Sequence, residues 1–244
     1  MILILGSTHD DVLYFESVMT NKKEEKLLNI YPLVFGSIFN QEVVLAYDIY
    51  TSYISSIITS YLIQKYFVVL VFVVGKCVSY STDVKPGDIA VSKRVILGDV
   101  DQVKEANVKL GQIPHFARSL ESSDEVIGYI TSALEKRSFA RYSISTFISS
   151  NRILDSTATI QPLIMNEFVL GHKNNVVFDC ISGGVFLASA LHNIPVVAIK
   201  VSEKQVDQES TADNYINVLK QYSSVGRAIV TCIGDIGRND IVKE

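Results

Sequence analysis

Tyr66–Val74 reads Tyr-Phe-Val-Val-Leu-Val-Phe-Val-Val, the longest uninterrupted apolar stretch in the chain. A half-solvated strand would alternate, and a bilayer crossing needs about 20 apolar residues, so the run predicts a strand over Phe67–Val74 covered on both faces. Runs of the same kind predict strands at Ile2–Leu5, Leu33–Ile38, Glu42–Tyr47, Asp88–Leu97, Ser143–Ser149, Val176–Phe178 and Val196–Val201, with a further one at Ile229–Ile233. Helical patterns separate them at Asp10–Met19, Ser52–Lys65, Asp124–Arg137, Ser182–His192 and Ala212–Ser224. Strands alternating with helices give an α/β fold, a three-layer sandwich with a central mixed sheet between helices. No linker, repeat or low-complexity tract divides residues 1–244, which predicts one domain.

Helix ends are marked in the sequence. Ser122 or Ser123 precedes Asp124 and Glu125, placing acid at the positive end of a helix dipole, and Asn193-Ile194-Pro195 stops the preceding helix before a strand. Lys22, Lys23 and Lys26 interleave with Glu24 and Glu25 as on a solvated turn or helix surface. The net charge of −4 and the scattered basic residues exclude a track for a phosphate backbone, so no nucleic-acid partner is expected. Mean hydropathy is +0.26, yet no run is long enough for a membrane span. Ile2–Leu5 is followed by His9, Asp10 and Asp11 without a basic leader, which argues against a signal peptide. The three cysteines, Cys77, Cys180 and Cys232, lie far apart, and an apolar setting favours buried thiols in a reducing, cytoplasmic compartment. No two histidines or carboxylates share metal-ligand spacing on one helix, so neither a metal nor a cofactor is expected.

In sheets of this class ligands bind beyond the carboxyl ends of strands. That rule selects Gly6–Asp11, Gly75–Tyr80, Ser149–Ile153, Ser202–Ser210 and the helix start at Ser182. Across these segments the chain resembles the methylthioadenosine/S-adenosylhomocysteine nucleosidases of the nucleoside phosphorylase superfamily. The likeness runs through Gly6-Ser7-Thr8-His9-Asp10-Asp11-Val12, Val84-Lys85-Pro86-Gly87-Asp88-Ile89-Ala90-Val91-Ser92, Asp99-Val100-Asp101, Gly111-Gln112-Ile113-Pro114, Val177-Phe178-Asp179 and Asn193-Ile194-Pro195-Val196-Val197. It covers nearly the whole chain.

The resemblance implies cleavage of the bond between a purine and a ribose. That reaction needs an acid for the leaving purine, a base for water, and acceptors for the ribose hydroxyls. The family's N-terminal base falls on Asp11, a carboxylate one methylene shorter than glutamate. Its ribose-binding Glu falls on Ile181, at the end of Asp179-Cys180-Ile181. Its acid falls on Lys204 when Pro195 and Asp207 fix the register, or on Glu203 after a slip of one residue. The glycine-rich loop reads Val74-Gly75-Lys76-Cys77-Val78-Ser79 and keeps one glycine of three, and Ile153 stands where the family carries an aromatic. The candidate catalytic residues are thus Asp11, Glu203 and Lys204, and the candidate binding residues Lys76, Cys77, Ile153, Asp179, Cys180 and Ile181.

Each has a plainer reading. Asp11 caps a helix, Glu203 pairs Lys204 or Lys200 in solvent, Lys76 fills the old pocket or holds an anion, and the cysteines are inert packing. The scaffold signals persist while the site signals erode. The expectation is therefore a nucleosidase-like protein with a degenerate, inactive or altered site that binds adenine nucleosides weakly. The alternatives are a working purine nucleosidase using Asp11 and Glu203, or a binder of another nucleoside or anion. Tyr53, Ile54, Ile57, Ile58, Tyr61 and Leu62 give one helix an apolar face wide enough for a homodimer.

Overall fold

The computed structural model describes residues 1–81, 83–136, 141–164 and 175–239. The first half runs β1 (Ile2–Leu5), α1 (His9–Val18), β2 (Thr20–Leu27), β3 (Tyr31–Ile38), β4 (Gln41–Ala46), α2 (Ser52–Tyr66) and β5 (Leu70–Ser79). The second runs β6 (Ile89–Leu97), α3 (Val103–Ala106), β7 (Leu120–Glu121), α4 (Asp124–Glu135), β8 (Tyr142–Ser149), α5 (Thr157–Ile164), β9 (Val176–Asp179), α6 (Ser182–Leu191), β10 (Val196–Gln205) and α7 (Ala212–Asn239). The strands form one mixed sheet in the order β10-β6-β8-β9-β5-β1-β4-β3-β2, with β7 on β6. Because β10 also pairs with β5, the strands β5, β10, β6, β8 and β9 close into a ring, and β1, β4, β3 and β2 extend from it.

The unalternating strands bury both faces. Ile2, Ile4, Phe72 and Val74 enter one core with Val12 and Phe15 of α1, Ile130 of α4 and Val225 and Ile229 of α7. Leu3, Leu5, Val71 and Val73 enter the opposite core with Ile58 and Leu62 of α2 and Val185 and Phe186 of α6. This is the helix-sheet-helix layering that the sequence predicts, curled until part of it closes. Helices α2 and α6 touch at Gly184, where an added Cβ would stand 1.9 Å from the carbonyl oxygen of Ser52. At α4, Ser123 accepts from the Val126 N–H, and Asp124 and Glu125 occupy the first turn.

Three expectations are corrected. Ile229–Ile233 is helical, part of α7, whose buried Val218, Tyr222, Val225, Ile229, Cys232, Ile233 and Ile236 recur at helical spacing. A five-residue apolar run does not distinguish the two periods. Lys22–Lys26 lies in strand β2, neither turn nor helix; this strand ends the sheet, and its charged residues occupy an edge where further strands would otherwise add. Strand β5 begins at Leu70, because Phe67 takes a left-handed conformation (φ 52°) at the end of α2, and it continues through Gly75 to Ser79. Arg137, placed in a helix by the sequence pattern, lies outside the described residues.

Candidate active site

A cleft of about 680 Å³ opens among the carboxyl ends of β5, β9 and β10, the N-terminal turn of α1 and the flank of α7. Asp11, Lys76, Cys77, Ile153, Asp179, Cys180, Glu203 and Lys204 all line it. Residues from five separate stretches of sequence thus meet in one place, which is the strand-end position expected for this class of sheet. Ile181 does not line it. It is fully buried at the start of α6, packed in the core with Ile49 and Val185, and its carbonyl accepts from the Ser55 hydroxyl at 2.9 Å.

Asp11 is 4% exposed and held from several sides. Its Oδ2 accepts the backbone N–H groups of Ser7 (2.7 Å) and Thr8 (2.9 Å), and its Oδ1 accepts the Tyr222 hydroxyl at 2.5 Å. The bond from Thr8 is the helix-capping contact of the plainer reading, and it coexists with a place on the cleft wall. Two turns earlier on α7, the Tyr215 hydroxyl donates to Asp10 Oδ2 at 2.6 Å. Burial and the Asp11 carboxylate both push the Tyr222 phenol far above its ordinary pKa, so it stays a donor.

Glu203 sits at a β-bulge, where the pairing of β10 with β5 slips between Ser202 and Lys204. The bulge lets Glu203 and Lys204, adjacent in sequence, both reach the cleft. Glu203 Oε1 accepts from Lys76 Nζ at 3.0 Å and from the Ser210 hydroxyl at 2.9 Å, so its ion-pair partner is Lys76 rather than Lys200 or Lys204. Lys204 Nζ donates to Asp155 Oδ2 at 2.8 Å. Lys200 Nζ lies 2.9 Å from Asp179 Oδ2, which also accepts the N–H (3.1 Å) and hydroxyl (2.5 Å) of Ser182. Burial opposes the Lys200 ammonium, but Asp179 and Asp11 outweigh it and hold its pKa above the ordinary lysine value. The lining carboxylates are Asp10, Asp11, Asp155, Asp179 and Glu203, the lining lysines Lys76, Lys200 and Lys204, and each lysine is paired.

The two cysteines are poor nucleophiles. Burial drives the Cys77 thiol far up, and burial followed by the Asp179 charge raises Cys180. Tyr50 and Ile153, 61% and 69% exposed, form an apolar rim. Among the described residues no group of three or more His, Cys, Asp or Glu is placed to hold a metal ion. The same residues include no helix long and apolar enough to cross a membrane. Sequence reasoning missed Asp155, Tyr215 and Tyr222 as site residues. The two tyrosines stand seven residues apart on an amphipathic helix, a spacing that places them on one face.

The profile of the phosphorylase superfamily matches residues 2–233, and the chain belongs to that superfamily. Among curated proteins it is 25% identical over 225 residues to the 5'-methylthioadenosine/S-adenosylhomocysteine nucleosidase of Buchnera aphidicola subsp. Baizongia pistaciae, covering 91% of this chain and 86% of that one. The enzyme of the same description from Staphylococcus haemolyticus is 24% identical over 139 residues, 57% of this chain and 60% of its own length. The fold superposes on the Neisseria meningitidis nucleosidase crystallised with methylthio-immucillin-A at TM-score 0.85, with 15% identity over 96% of this chain and 98% of that one. It also superposes on the futalosine hydrolase of Helicobacter pylori at TM-score 0.83, with 18% identity over 96% and 97% of the two chains.

Proposed function

We propose that the cleft binds a purine nucleoside and that the protein hydrolyses its N-glycosidic bond, with Asp11 as base and Glu203 as acid. The carrying observation is that both carboxylates line one open cleft whose volume suits a ligand of nucleoside size. In this reading Asp11 Oδ1 takes a proton from water as the water oxygen bonds to the sugar's anomeric carbon. The bond from that carbon to the purine nitrogen breaks, its electron pair leaves with the purine, and the purine takes up a proton from solvent by way of Glu203. Water rather than phosphate is the nucleophile, because each lysine lining the cleft is paired with a carboxylate.

A second reading, binding without turnover, is favoured by one specific observation. Three donors already occupy the two oxygens of Asp11, and donors on a carboxylate weaken it as a base. Ile181 supplies no hydroxyl acceptor under either reading, since it faces the core. We further place the protein in a reducing cytoplasm, on its three free thiols. We also propose a homodimer formed through Tyr53, Ile57 and Tyr61 of α2, exposed at 70%, 60% and 38%; Ile58 and Leu62, expected on the same face, are instead buried in this chain's own core, and Ile54 packs against it.

The test is incubation with methylthioadenosine, S-adenosylhomocysteine and inosine, with and without phosphate, while free base and sugar 1-phosphate are followed. Base release that is independent of phosphate supports hydrolysis. Sugar 1-phosphate overturns the assignment of water as nucleophile. Release slower than about one thousandth of a typical turnover of about 10 per second, with binding retained, supports the second reading.

A further inference from the structure

Tyr222 is 8% exposed, and its ring packs in the core between α7 and the sheet. Its hydroxyl is not spent on the core but reaches the cleft and bonds Asp11 Oδ1 at 2.5 Å. The other oxygen of Asp11 is pinned to the loop by the Ser7 and Thr8 amides. Behind it lies Gly75, at φ +128°, where an added Cβ would stand 2.9 Å from Asp11 Oδ2. The carboxylate is therefore boxed by two amides, a bare stretch of backbone and one phenol. Of these contacts only the phenol comes from a side chain, and it touches the oxygen not committed to the loop. A carboxylate oxygen has two lone pairs, so an Oδ1 bonded to Tyr222 retains one for a further donor. Tyr222, Asp11 and Glu203 all line the same cleft.

We propose that Tyr222 is a positioning residue for the base: it fixes the rotation of the Asp11 carboxylate so that the free lone pair of Oδ1 addresses the attacking water. The inference rests on the hydrolytic reading above. It also gives a reason why a carboxylate one methylene shorter than glutamate can serve here, since a short side chain held at both oxygens needs no reach of its own. Misaligning a reacting group by a fraction of an ångström lowers the rate of the bound complex without changing how substrate is held.

The experiment is steady-state kinetics on the wild type, Tyr222→Phe, Asp11→Asn and the double variant, with the thermal midpoint of each recorded. Phenylalanine keeps the ring and its packing and removes only the hydroxyl, so the midpoint reports whether the fold survives. The expected result is a kcat lower by about 10- to 100-fold in Tyr222→Phe with KM within about twofold, and no further loss from Tyr222→Phe in the Asp11→Asn background. A Tyr222→Phe protein with unchanged kcat, a change confined to KM, or an equal loss in the Asp11→Asn background overturns the positioning role and leaves the hydrolytic reading standing. A wild type that releases no base overturns both.

Discussion

Lys200 of β10 and Asp179 of β9 meet across β5, with 2.9 Å between Nζ and Oδ2 and each side chain 1% exposed. Such a pair is costly to desolvate, and its members are far more damaging apart than together. Lys200→Met alone should lower unfolding stability by about 3–5 kcal/mol, because it leaves Asp179 as an uncompensated buried charge. Lys200→Met with Asp179→Leu should recover most of that loss in urea denaturation. The folded-state pKa of Lys200 lies above the unfolded value of 10.5, so its contribution is complete below that pH and is lost as pH rises through the folded value. The stability difference between wild type and the double variant should accordingly stay flat from about pH 8 to about pH 10 and shrink at higher pH. A double variant as unstable as the worse single one would show that the pair is not the source of the effect.

Introducing a carboxylate at Ile181 should not restore a ribose acceptor. The side chain points into the core, so Ile181→Glu buries a charge without a partner, and a melting midpoint lower by roughly 10 °C or more is expected. Calorimetry should show no tighter binding of methylthioadenosine. Improved binding by a stably folded Ile181→Glu protein would mean that this segment rearranges on ligation.

Glu203 and Lys204 compete for the acid's place, and kinetics separates them. Glu203→Gln should reduce kcat by at least about 100-fold, the usual worth of a general acid. Lys204→Met should reduce it less than about tenfold, since its partner Asp155 ties it to the neighbouring loop at the cleft mouth. The opposite ranking would assign the acid's position to residue 204.

Thiol labelling should find one accessible cysteine. Cys77 is buried in the sheet, and burial first, then Asp235 and Glu125, push the Cys232 thiol up to about 12, so both should resist reagent at pH 8 in the folded protein. Cys180, half-buried on the cleft wall, should label slowly and faster as pH rises, and a bound nucleoside should protect it. Equal labelling of all three under native conditions would contradict the packing described above.

The apolar stripe on α2 predicts association in solution. Sedimentation should give about twice the 27.1 kDa chain mass, and Tyr53→Glu with Ile57→Glu should return the monomer. A wild type that sediments as a monomer at micromolar concentration would leave that face solvated.

Much of this architecture was legible because its strands are covered on both faces, a pattern that no other element shares at such length. Ile2–Leu5 and Val196–Val201 show it as plainly as the run before Gly75. Ile229–Ile233 taken alone fits either period, and it is the apolar positions from Val218 to Ile236 that fix it as helical. At the cleft, the residues next to strand ends were readable from topology alone. Lys200 carried a signal as well, a lone charge inside an apolar strand, which demands a buried partner. Tyr222 carried only the helical spacing that sets it on one face with Tyr215. Its bond spans 211 positions, and local sequence says nothing about which helix returns to cover the first one.

Gly75 is the glycine on which the Asp11 carboxylate rests, an added Cβ there standing 2.9 Å from Oδ2. The two positions therefore form a single unit of inheritance. A lineage that places a side chain at 75 must displace the acid at 11, and a lineage that loses the acid frees position 75 to drift toward any residue the turn tolerates. Descendants of this chain should keep both or neither, and a sequence with Asp11 beside a bulky residue at 75 should be absent from functional relatives.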